Sequence, residues 1–277
     1  SLNLVVGFLG ELSLGHAGFM CVGAYVGGKL AATFTEMFTD LNEYIIFVIA
    51  LVVGGLAAML CGFIIGLPAL RLRGDYLAIV TLAFGEIIKD LINCLLVGID
   101  SDGLHFLFNA KGLLTVEDLA LKEGGRVIIK GAQGATGIKT IASFSAGFVL
   151  IMVALIVVLN LTRSRSGRAI MALRDNRIAA ESVGINVTKY KLMAFVTSAA
   201  LAGAAGALYS LNYSAVVSST FNFNMSIEIL LMVVFGGLGN VWGSVVAATV
   251  IRLLPELLRS MESYRMLIYA IILVIVM

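Results

Sequence analysis

Residues 44–67 read YIIFVIALVVGGLAAMLCGFIIGL, a stretch of twenty-four positions without a charged side chain. A helix needs about 20 apolar residues to cross the hydrocarbon core of a bilayer, and it satisfies its own backbone hydrogen bonds where lipid offers none. Three other stretches lack charge over a similar length, at 141–162, 192–211 and 229–251. The sequence therefore predicts an all-α polytopic membrane protein, folded as a helical bundle.

The composition of the chain agrees with a membrane protein. Its residues are 60% hydrophobic and 13% charged, whereas soluble domains carry about 25% charge. A net charge of +2 gives no indication of a nucleic-acid partner. Cys21, Cys61 and Cys94 lie in apolar stretches without a CxxC pair, so we expect neither a metal site nor a disulfide framework.

Two segments in the N-terminal half have a less regular apolar pattern. Residues 2–32 are apolar but are interrupted by glycines, Glu11 and His16, so we predict a broken element followed by a helix. Residues 76–98 form a further candidate span, although three charged residues lie within it. They are Glu86, Lys89 and Asp90.

The C-terminal part contains two short apolar segments, 226–239 and 241–259. Glycine-rich residues 236–240 separate them, either as a turn between two short spans or as a break in one helix. The count for the chain is then roughly eight spanning or half-spanning segments. The last apolar run, 266–277, is too short to span a bilayer, so we expect the natural chain to continue beyond it.

Basic residues predict the orientation of this single transmembrane domain, 1–277. The segment 163–191 holds seven arginines and lysines against two acidic residues, so the positive-inside rule places it in the cytoplasm. The link with Arg71 and Arg73 should lie on the same side. Between these two cytoplasmic segments the chain crosses the membrane outward at 76–98 and inward at 141–162. Residues 99–140 are therefore predicted to be an external loop.

Small residues recur at four-residue spacing on the predicted spans. This pattern lets helix backbones approach closely in lipid, and it predicts a tightly packed bundle. The residues are Gly23/Gly27, Ala58/Gly62/Gly66, Ala199/Gly203/Ala207 and Gly239/Gly243.

Residues 168–183 of the cytoplasmic segment predict a short amphipathic helix that ends at Gly184. Arg177 and Glu181 form an i,i+4 pair on its polar side. A shallow, alanine-rich face suits docking into a groove on another protein, and the alternative is a helix that rests on the bilayer surface. The face consists of Ala169, Ala172, Leu173, Asn176, Ala179, Ala180 and Val183.

Several stretches resemble, in the same order, LivM-type permeases, which are membrane subunits of branched-chain amino acid ABC importers. They include 13–17 (SLGHA), 72–76 (LRGDY), 81–86 (TLAFGE) and the segment 167–186. The resemblance does not extend to residues 104–130. It implies a bacterial inner (cell) membrane protein with a homologous second permease subunit, two cytoplasmic ATP-binding subunits and an extracytoplasmic solute-binding protein.

The resemblance also implies that the cytoplasmic segment couples transport to the ATPases. The chain has no GxxxxGK[ST] phosphate-binding loop, so ATP hydrolysis is expected in partner chains and this chain is expected not to be an enzyme and to need no cofactor. The predicted coupling residues are Arg168, Arg174, Asp175, Asn176, Arg177, Ala179, Ala180, Glu181 and Gly184.

Five residues are candidates for the translocation pathway: Glu11, Ser13, Gly15, His16 and Glu86. A broken helix can turn backbone groups toward a cavity, where an amino acid needs an anion for its ammonium group and donors for its carboxylate. The alternative is a packed bend in which His16 donates to a backbone carbonyl. Glu86 lines the pathway, or else it forms a self-neutralising group with its charged neighbours that reaches the membrane interface.

Three functions remain open at this point. The first is ATP-driven import of branched-chain amino acids. The second keeps the same architecture but imports urea or another small amide. The third is a stand-alone secondary transporter or channel that would work without ATPase partners.

Overall fold

The computed structural model describes residues 1–37, 42–72, 74–100, 103–108 and 126–257. Four features of the sequence analysis lie wholly or partly outside these residues. They are Arg73, positions 109–125 of the predicted external loop, the end of the segment 241–259, and the run 266–277.

The described residues are mainly helical, which confirms the prediction of a polytopic helical membrane protein. A π-helix at Leu4–Leu9 comes first, and nine α-helices follow in this part of the chain. Four of them, α1, α2, α4 and α7, are long and apolar enough to cross a membrane. The helices are α1 His16–Met37, α2 Glu43–Ala69, α3 Asp75–Cys94, α4 Phe144–Arg163, α5 Arg165–Asp175, α6 Arg177–Ser182, α7 Val187–Asn212, α8 Phe223–Phe235 and α9 Val241–Leu257.

The N-terminal element is broken, as the sequence predicts. The π-helix ends at Gly10, whose positive φ of 76° is open to glycine without strain. Residues 11–15 are irregular, and α1 begins at His16. The break therefore lies among the residues that the sequence marks as pathway candidates.

The stretch 229–251 is not one span, because it is divided between two helices. Helices α8 and α9 run side by side in opposite directions, with Arg252 Nη2 3.3 Å from Glu228 Oε2. Asn240 begins α9 and its side-chain oxygen accepts a hydrogen bond from Gly243 N at 3.1 Å. The glycine-rich sequence is thus a turn between two short helices, each below the roughly 20 residues of a full span.

The predicted external loop contains strands that the sequence analysis does not predict. Helix α3 ends at Cys94 and continues directly into β1, so the candidate span 76–98 is helical only in its first part. The sheet has the order β2-β1-β3 with antiparallel neighbours, and a second small sheet pairs β4 with β5. The strands are β1 Leu95–Asp100, β2 Gly103–Phe108, β3 Arg126–Lys130, β4 Ala135–Thr136 and β5 Ala215–Val216.

Helices α1, α2 and α7 form the centre of the bundle, and small residues lie at their contacts. A Cβ at Gly62 of α2 would lie 2.6 Å from Cβ of Ala199 on α7, and a Cβ at Gly27 of α1 would lie 2.6 Å from Cβ of Ala207. A side chain at Gly23 would overlap the backbone of Gly203. The expected close approach is therefore present, and the contacts exclude larger side chains.

Among the described residues, the two largest clusters of buried apolar side chains mark opposite ends of the bundle. One cluster joins Leu70, after α2, to Ile170 of α5. The other joins Ile46 near the start of α2 with Ile138 and Leu211. The two basic links thus lie at one end, and the residues around β4 and the C-terminus of α7 lie at the other. Which end faces the cytoplasm stays a prediction from the basic residues.

Candidate functional site

The predicted helix 168–183 is two helices, α5 and α6. Asn176 leaves the helical conformation, with φ −155° and ψ 104°, and its side-chain oxygen accepts a hydrogen bond from Ala179 N at 3.0 Å. It is therefore the N-cap of α6. The continuous face through Asn176 that the periodicity predicts does not form, because an asparagine that caps a helix cannot also lie within one.

The apolar side of this segment packs partly on the chain itself. Leu173 and Ala180 are buried in a small cluster with Val187. Ala179 is exposed. The most exposed large apolar side chains of α6 and the residue after it are Ile178, at 80%, and Val183, at 76%. The alanine-rich face is thus divided between an internal contact and a free surface. Ile178 is not among the predicted coupling residues, although an isoleucine on the polar side of a helix is a signal that could have found it.

Two details of the polar side agree with the sequence analysis. Arg177 Nε lies 3.0 Å from Glu181 Oε1, which is the predicted i,i+4 pair. Gly184 has φ 85° and follows the end of α6, where the predicted cap lies. Arg168 is exposed, and its Nη1 lies 3.4 Å from the carbonyl oxygen of Arg163.

Arg174 does not lie only on the outer surface. Its Nη2 lies 3.2 Å from Asp175 Oδ1, and its Nη1 donates to the carbonyl oxygen of Gly7 at 2.9 Å. Gly7 belongs to the N-terminal π-helix. A predicted coupling residue therefore bonds directly to the broken element that carries the predicted pathway residues.

Glu11, just after the π-helix, forms an ion pair with Lys191 of α7. The side chains are largely buried, at 14% and 4% exposed respectively. Lys191 is thus buried, although the sequence analysis counts it with the basic cytoplasmic segment. In this conformation the Glu11 carboxylate is neutralised by Lys191, so it is not free to bind a solute ammonium group.

Ser13, Gly15 and His16 are buried at the break. His16 Nε2 lies 2.9 Å from Ser198 Oγ, and Ser198 donates its hydroxyl proton to the carbonyl oxygen of Ser1 at 2.8 Å. Because a serine hydroxyl has one proton, Nε2 must carry the imidazole proton and donate to Ser198. The partner of His16 is therefore a hydroxyl, and not the backbone carbonyl of the packed-bend alternative.

Hydroxyl groups from three helices hold the break in place. Thr81 of α3 accepts from Leu14 N at 3.2 Å, Ser198 of α7 accepts from His16, and Ser226 of α8 accepts from Ala17 N at 3.3 Å. None of these three residues is among the predicted site residues. Their signal is a buried polar side chain within an apolar helix, which is costly in a membrane and marks a packing or functional contact.

Two buried polar atoms at the break have no hydrogen-bond partner, Ser13 Oγ and His16 Nδ1. Gly15 is in close contact with α3, since a side chain there would overlap the carbonyl oxygen of Thr81. The break is therefore closely packed, yet it retains one hydroxyl and one imidazole nitrogen that can accept a further hydrogen bond.

Glu86 lies on α3 next to Gly85, whose backbone is 2.7 Å from the position of a Cβ at Gly18. Lys89 forms ion pairs with Glu86 and, at 3.6 Å, with Asp90. This geometry matches the self-neutralising alternative, and a role of Glu86 in the pathway stays a prediction. Within the described ranges, no group of three or more His, Cys, Asp or Glu side chains could hold a metal ion.

Helix α4 stands apart from this site. Only 6% of its apolar, membrane-spanning stretch is buried inside the protein. A groove of about 600 Å³ separates the helix from α2 and α7. Apolar side chains such as Leu51, Val149 and Leu201 line the groove. This helix is therefore placed at the edge of the bundle.

The long apolar helices define the chain as a multi-pass helical membrane protein. More specifically, it belongs to the family described as "Branched-chain amino acid transport system / permease component", whose sequence profile matches residues 1–277.

Individual relatives agree with this family. The chain is 35% identical to the high-affinity branched-chain amino acid transport system permease protein LivM of Salmonella typhimurium, and 36% identical to that of Escherichia coli K12. Each match covers all of this chain and 64% of the relative, so the chain spans about two thirds of their length. A probable LivM permease of Methanocaldococcus jannaschii is 24% identical over 87% of this chain and 71% of its own. No solved structure matches the chain.

Proposed function

We propose that this chain is the membrane-spanning subunit of an ATP-driven importer of branched-chain amino acids. The family match over residues 1–277 and the names of the LivM relatives support this function. In this proposal the partners are a second, homologous permease, two cytoplasmic ATP-binding subunits and an extracytoplasmic solute-binding protein, assembled in the inner membrane of a bacterium.

The segment 163–191 faces the cytoplasm in this proposal and contacts an ATP-binding subunit. Ile178, Ala179 and Val183 would supply the apolar contact, because they are exposed on α6 and directly after it. The pair Arg177–Glu181 lies beside them, at the polar edge of the surface. Protein interfaces commonly combine an apolar centre with a polar rim in this way.

One observation carries the proposal: α5 and α6 present an exposed surface while Arg174 bonds to the broken element inside the bundle. ATP binding would draw the two ATP-binding subunits together and move α5 and α6. Ser13, Gly15 and His16 are closed in this conformation, so transport requires the break to open, as in an alternation between inward- and outward-facing states.

The chemistry of the break suits an amphoteric, largely apolar solute. Glu11 is neutralised by Lys191, and the surrounding groups are hydroxyls, so the break has little net charge. Ser13 Oγ and His16 Nδ1 have capacity for a solute hydrogen bond. Half-helix ends and irregular backbone line solute sites in other transporter architectures by the same principle.

The function is tested by uptake into proteoliposomes that contain the complete complex. We expect leucine uptake that requires ATP and the binding protein, and that isoleucine and valine compete for it while urea does not. Competition by urea alone would support the small-amide importer. Uptake by this chain without ATPases, driven by an ion gradient, would support the secondary transporter.

The contact surface is tested with Ile178→Ala in the same complex. We expect reduced binding of the ATP-binding subunits, because a truncated apolar side chain in the centre of an interface typically costs about 1 kcal/mol or more. The matched control is Ile156→Ala on α4, where the isoleucine is also exposed but lies within an apolar helix, outside the segment 163–191. Equal subunit binding by both variants would contradict the assigned surface.

A further inference from the structure

Three parts of the chain that are distant in sequence meet around Gly7. They are the N-terminal π-helix, helix α5 and the turn between α8 and α9. We call this contact the Gly7 junction, and it consists of Asn3, Gly7, Arg174, Gly239, Asn240 and Ser244.

Asn3 connects the π-helix to the α8–α9 turn, and both the oxygen and the nitrogen of its side-chain amide form hydrogen bonds there. Its Oδ1 accepts from Gly239 N at 2.9 Å. Its Nδ2 donates to the carbonyl oxygen of Asn240 at 2.9 Å and to Ser244 Oγ at 2.7 Å. Asn3 is 6% exposed, so these bonds form without competition from water. Only a side chain with both a donor and an acceptor satisfies all three partners.

Gly7 brings the third element into the same contact. A side chain at Gly7 would overlap both Asn3 Oδ1 and Gly239 N, so glycine is required for the two segments to approach this closely. The Gly7 carbonyl oxygen accepts from Arg174 Nη1 at 2.9 Å. That bond is charge-assisted, which makes it stronger than a bond between neutral groups.

The π-helix leads from this junction directly to the break. After Gly10, Glu11 is paired with Lys191, and Ser13 and His16 follow within five residues. A shift of the π-helix therefore acts on the residues that close the pathway.

We propose that the Gly7 junction transmits movement of α5 to the break before α1, and that Asn3 is a positioning residue that makes the π-helix and the α8–α9 turn move together. The inference rests on the proposed function, since it takes α5 as the element moved by a partner ATPase. Asn3 touches no solute in this scheme and acts through the backbone groups that it binds.

The first test is Asn3→Asp in the complete reconstituted complex. The carboxylate has nearly the shape of the amide, but it places an acceptor against the Asn240 carbonyl oxygen and removes the donor to Ser244. We expect normal assembly, ATP hydrolysis within about twofold of the parent, and about tenfold less solute imported per ATP, within the usual range of coupling between distant sites.

The matched control is Asn222→Asp. Asn222 caps α8 with its side-chain oxygen alone, which accepts from Met225 N at 3.1 Å. An aspartate can make the same bond, so solute imported per ATP should stay at the parental level. A parental value for Asn3→Asp, or an equal fall in both variants, would overturn the proposal.

The second test replaces the hydrogen bonds by a covalent link, with Asn3→Cys and Ser244→Cys together. Asn3→Cys alone should lose coupling under oxidising conditions, the oxidised double variant should regain it, and a reductant should remove the gain. An oxidised double variant that assembles but does not import would overturn the proposal, since the junction would then have to open. Loss of assembly in Asn3→Asp and Asn3→Cys would equally overturn it, because Asn3 would then be a folding element.

A third measurement separates this inference from the importer assignment. Uptake by the parent complex decides the assignment, whatever the variants do. Spin labels at Arg165 on α5 and at Leu238 in the turn, both exposed, report the junction without a solute. The distance between them should stay constant between nucleotide-free and ATP-bound complexes, and a change would overturn the inference even if import is normal.

Discussion

Helix α7 lies at the centre of the bundle, and 50% of its apolar, membrane-spanning stretch is buried inside the protein. Helix α4 lies at the edge, and only 6% of its corresponding stretch is buried. Both were predicted as spans for the same reason, an uncharged stretch of at least twenty residues. Their side chains differ. Helix α7 contacts its neighbours through Ala199, Gly203 and Ala207, and α4 exposes large residues such as Phe148 and Ile156.

The difference shows that hydropathy in a membrane helix reports the ability to span and says little about burial. Lipid tails are as apolar as leucine, so a large apolar side chain gains little by moving from lipid into protein. What selects the central helix is the close approach that small residues permit. Polar contacts such as Lys191–Glu11 and Ser198–His16 then fix the position of α7 along the broken N-terminal element.

The largest expected contrast concerns two cations at the same end of the bundle, Lys191 near the start of α7 and Arg163 in the last turn of α4. Lys191→Met should destabilise the protein by about 3–5 kcal/mol, because it leaves Glu11 buried without its partner. Arg163→Met at the end of α4 should change stability by less than about 0.5 kcal/mol, since Arg163 is exposed. Denaturant unfolding in mixed micelles measures both.

The ion pair, and not the lysine alone, should account for that loss. Adding Glu11→Gln to Lys191→Met should therefore recover most of the stability, because no charge is then left buried. Equal stability of Lys191→Met and Arg163→Met would show that the distinction between central and peripheral helices is wrong at this end.

An aromatic side chain gives the next contrast. Phe195 on α7 is 1% exposed and its ring meets that of Phe19 edge to face at 5.5 Å. Phe195→Ala should cost about 3 kcal/mol through the cavity that it leaves. Phe148→Ala on α4, where the ring is 52% exposed, should cost less than about 1 kcal/mol, because lipid fills the space. Thermal unfolding of the two variants in one detergent compares them, and a larger loss for Phe148→Ala would reverse the comparison.

The smallest contrast adds one methyl group to each helix. A Cβ at Gly203 of α7 would overlap Cβ of Ala58 and lie 2.7 Å from the carbonyl oxygen of Gly54. Gly203→Ala should therefore cost about 1–3 kcal/mol by overpacking. At Gly147 of α4 the nearest atom would be Leu208 Cδ2 at 3.8 Å, so Gly147→Ala should be neutral or slightly stabilising. The same unfolding assay measures the pair, and a neutral Gly203→Ala would mean that the central helices can separate.

The sequence predicts the spans, the broken N-terminal element and the small-residue contacts because each depends on local composition and spacing. The charge-free stretches identify α2, α4 and α7, and Glu11 and His16 mark the interruption before α1. Periodicity failed at Asn176, where a capping side chain competes with a continuous helix and wins. The π-helix was not predicted, because six residues are too few for the hydrophobic pattern to distinguish i→i+5 from i→i+4 hydrogen bonding.

The site itself was predicted only in part, since its contacts join distant segments. Lys191 reads as one of many basic residues in a loop, and nothing in its neighbourhood shows that Glu11, 180 positions away, is its partner. Asn3 reads as one polar residue in an apolar stretch, yet its partners are near position 240. The strands after α3 were missed because they follow a helix without a turn signal at Cys94.

The direct passage from α3 into β1 has a consequence of its own. No linker lies between Cys94 and Leu95, and β1 is the middle strand, bonded on both sides along its length. Because helix and strand are continuous, we expect a tilt of α3 to move the three-stranded sheet with it. We expect a fluorophore attached to that sheet to report the angle of α3 without a label on the helix itself.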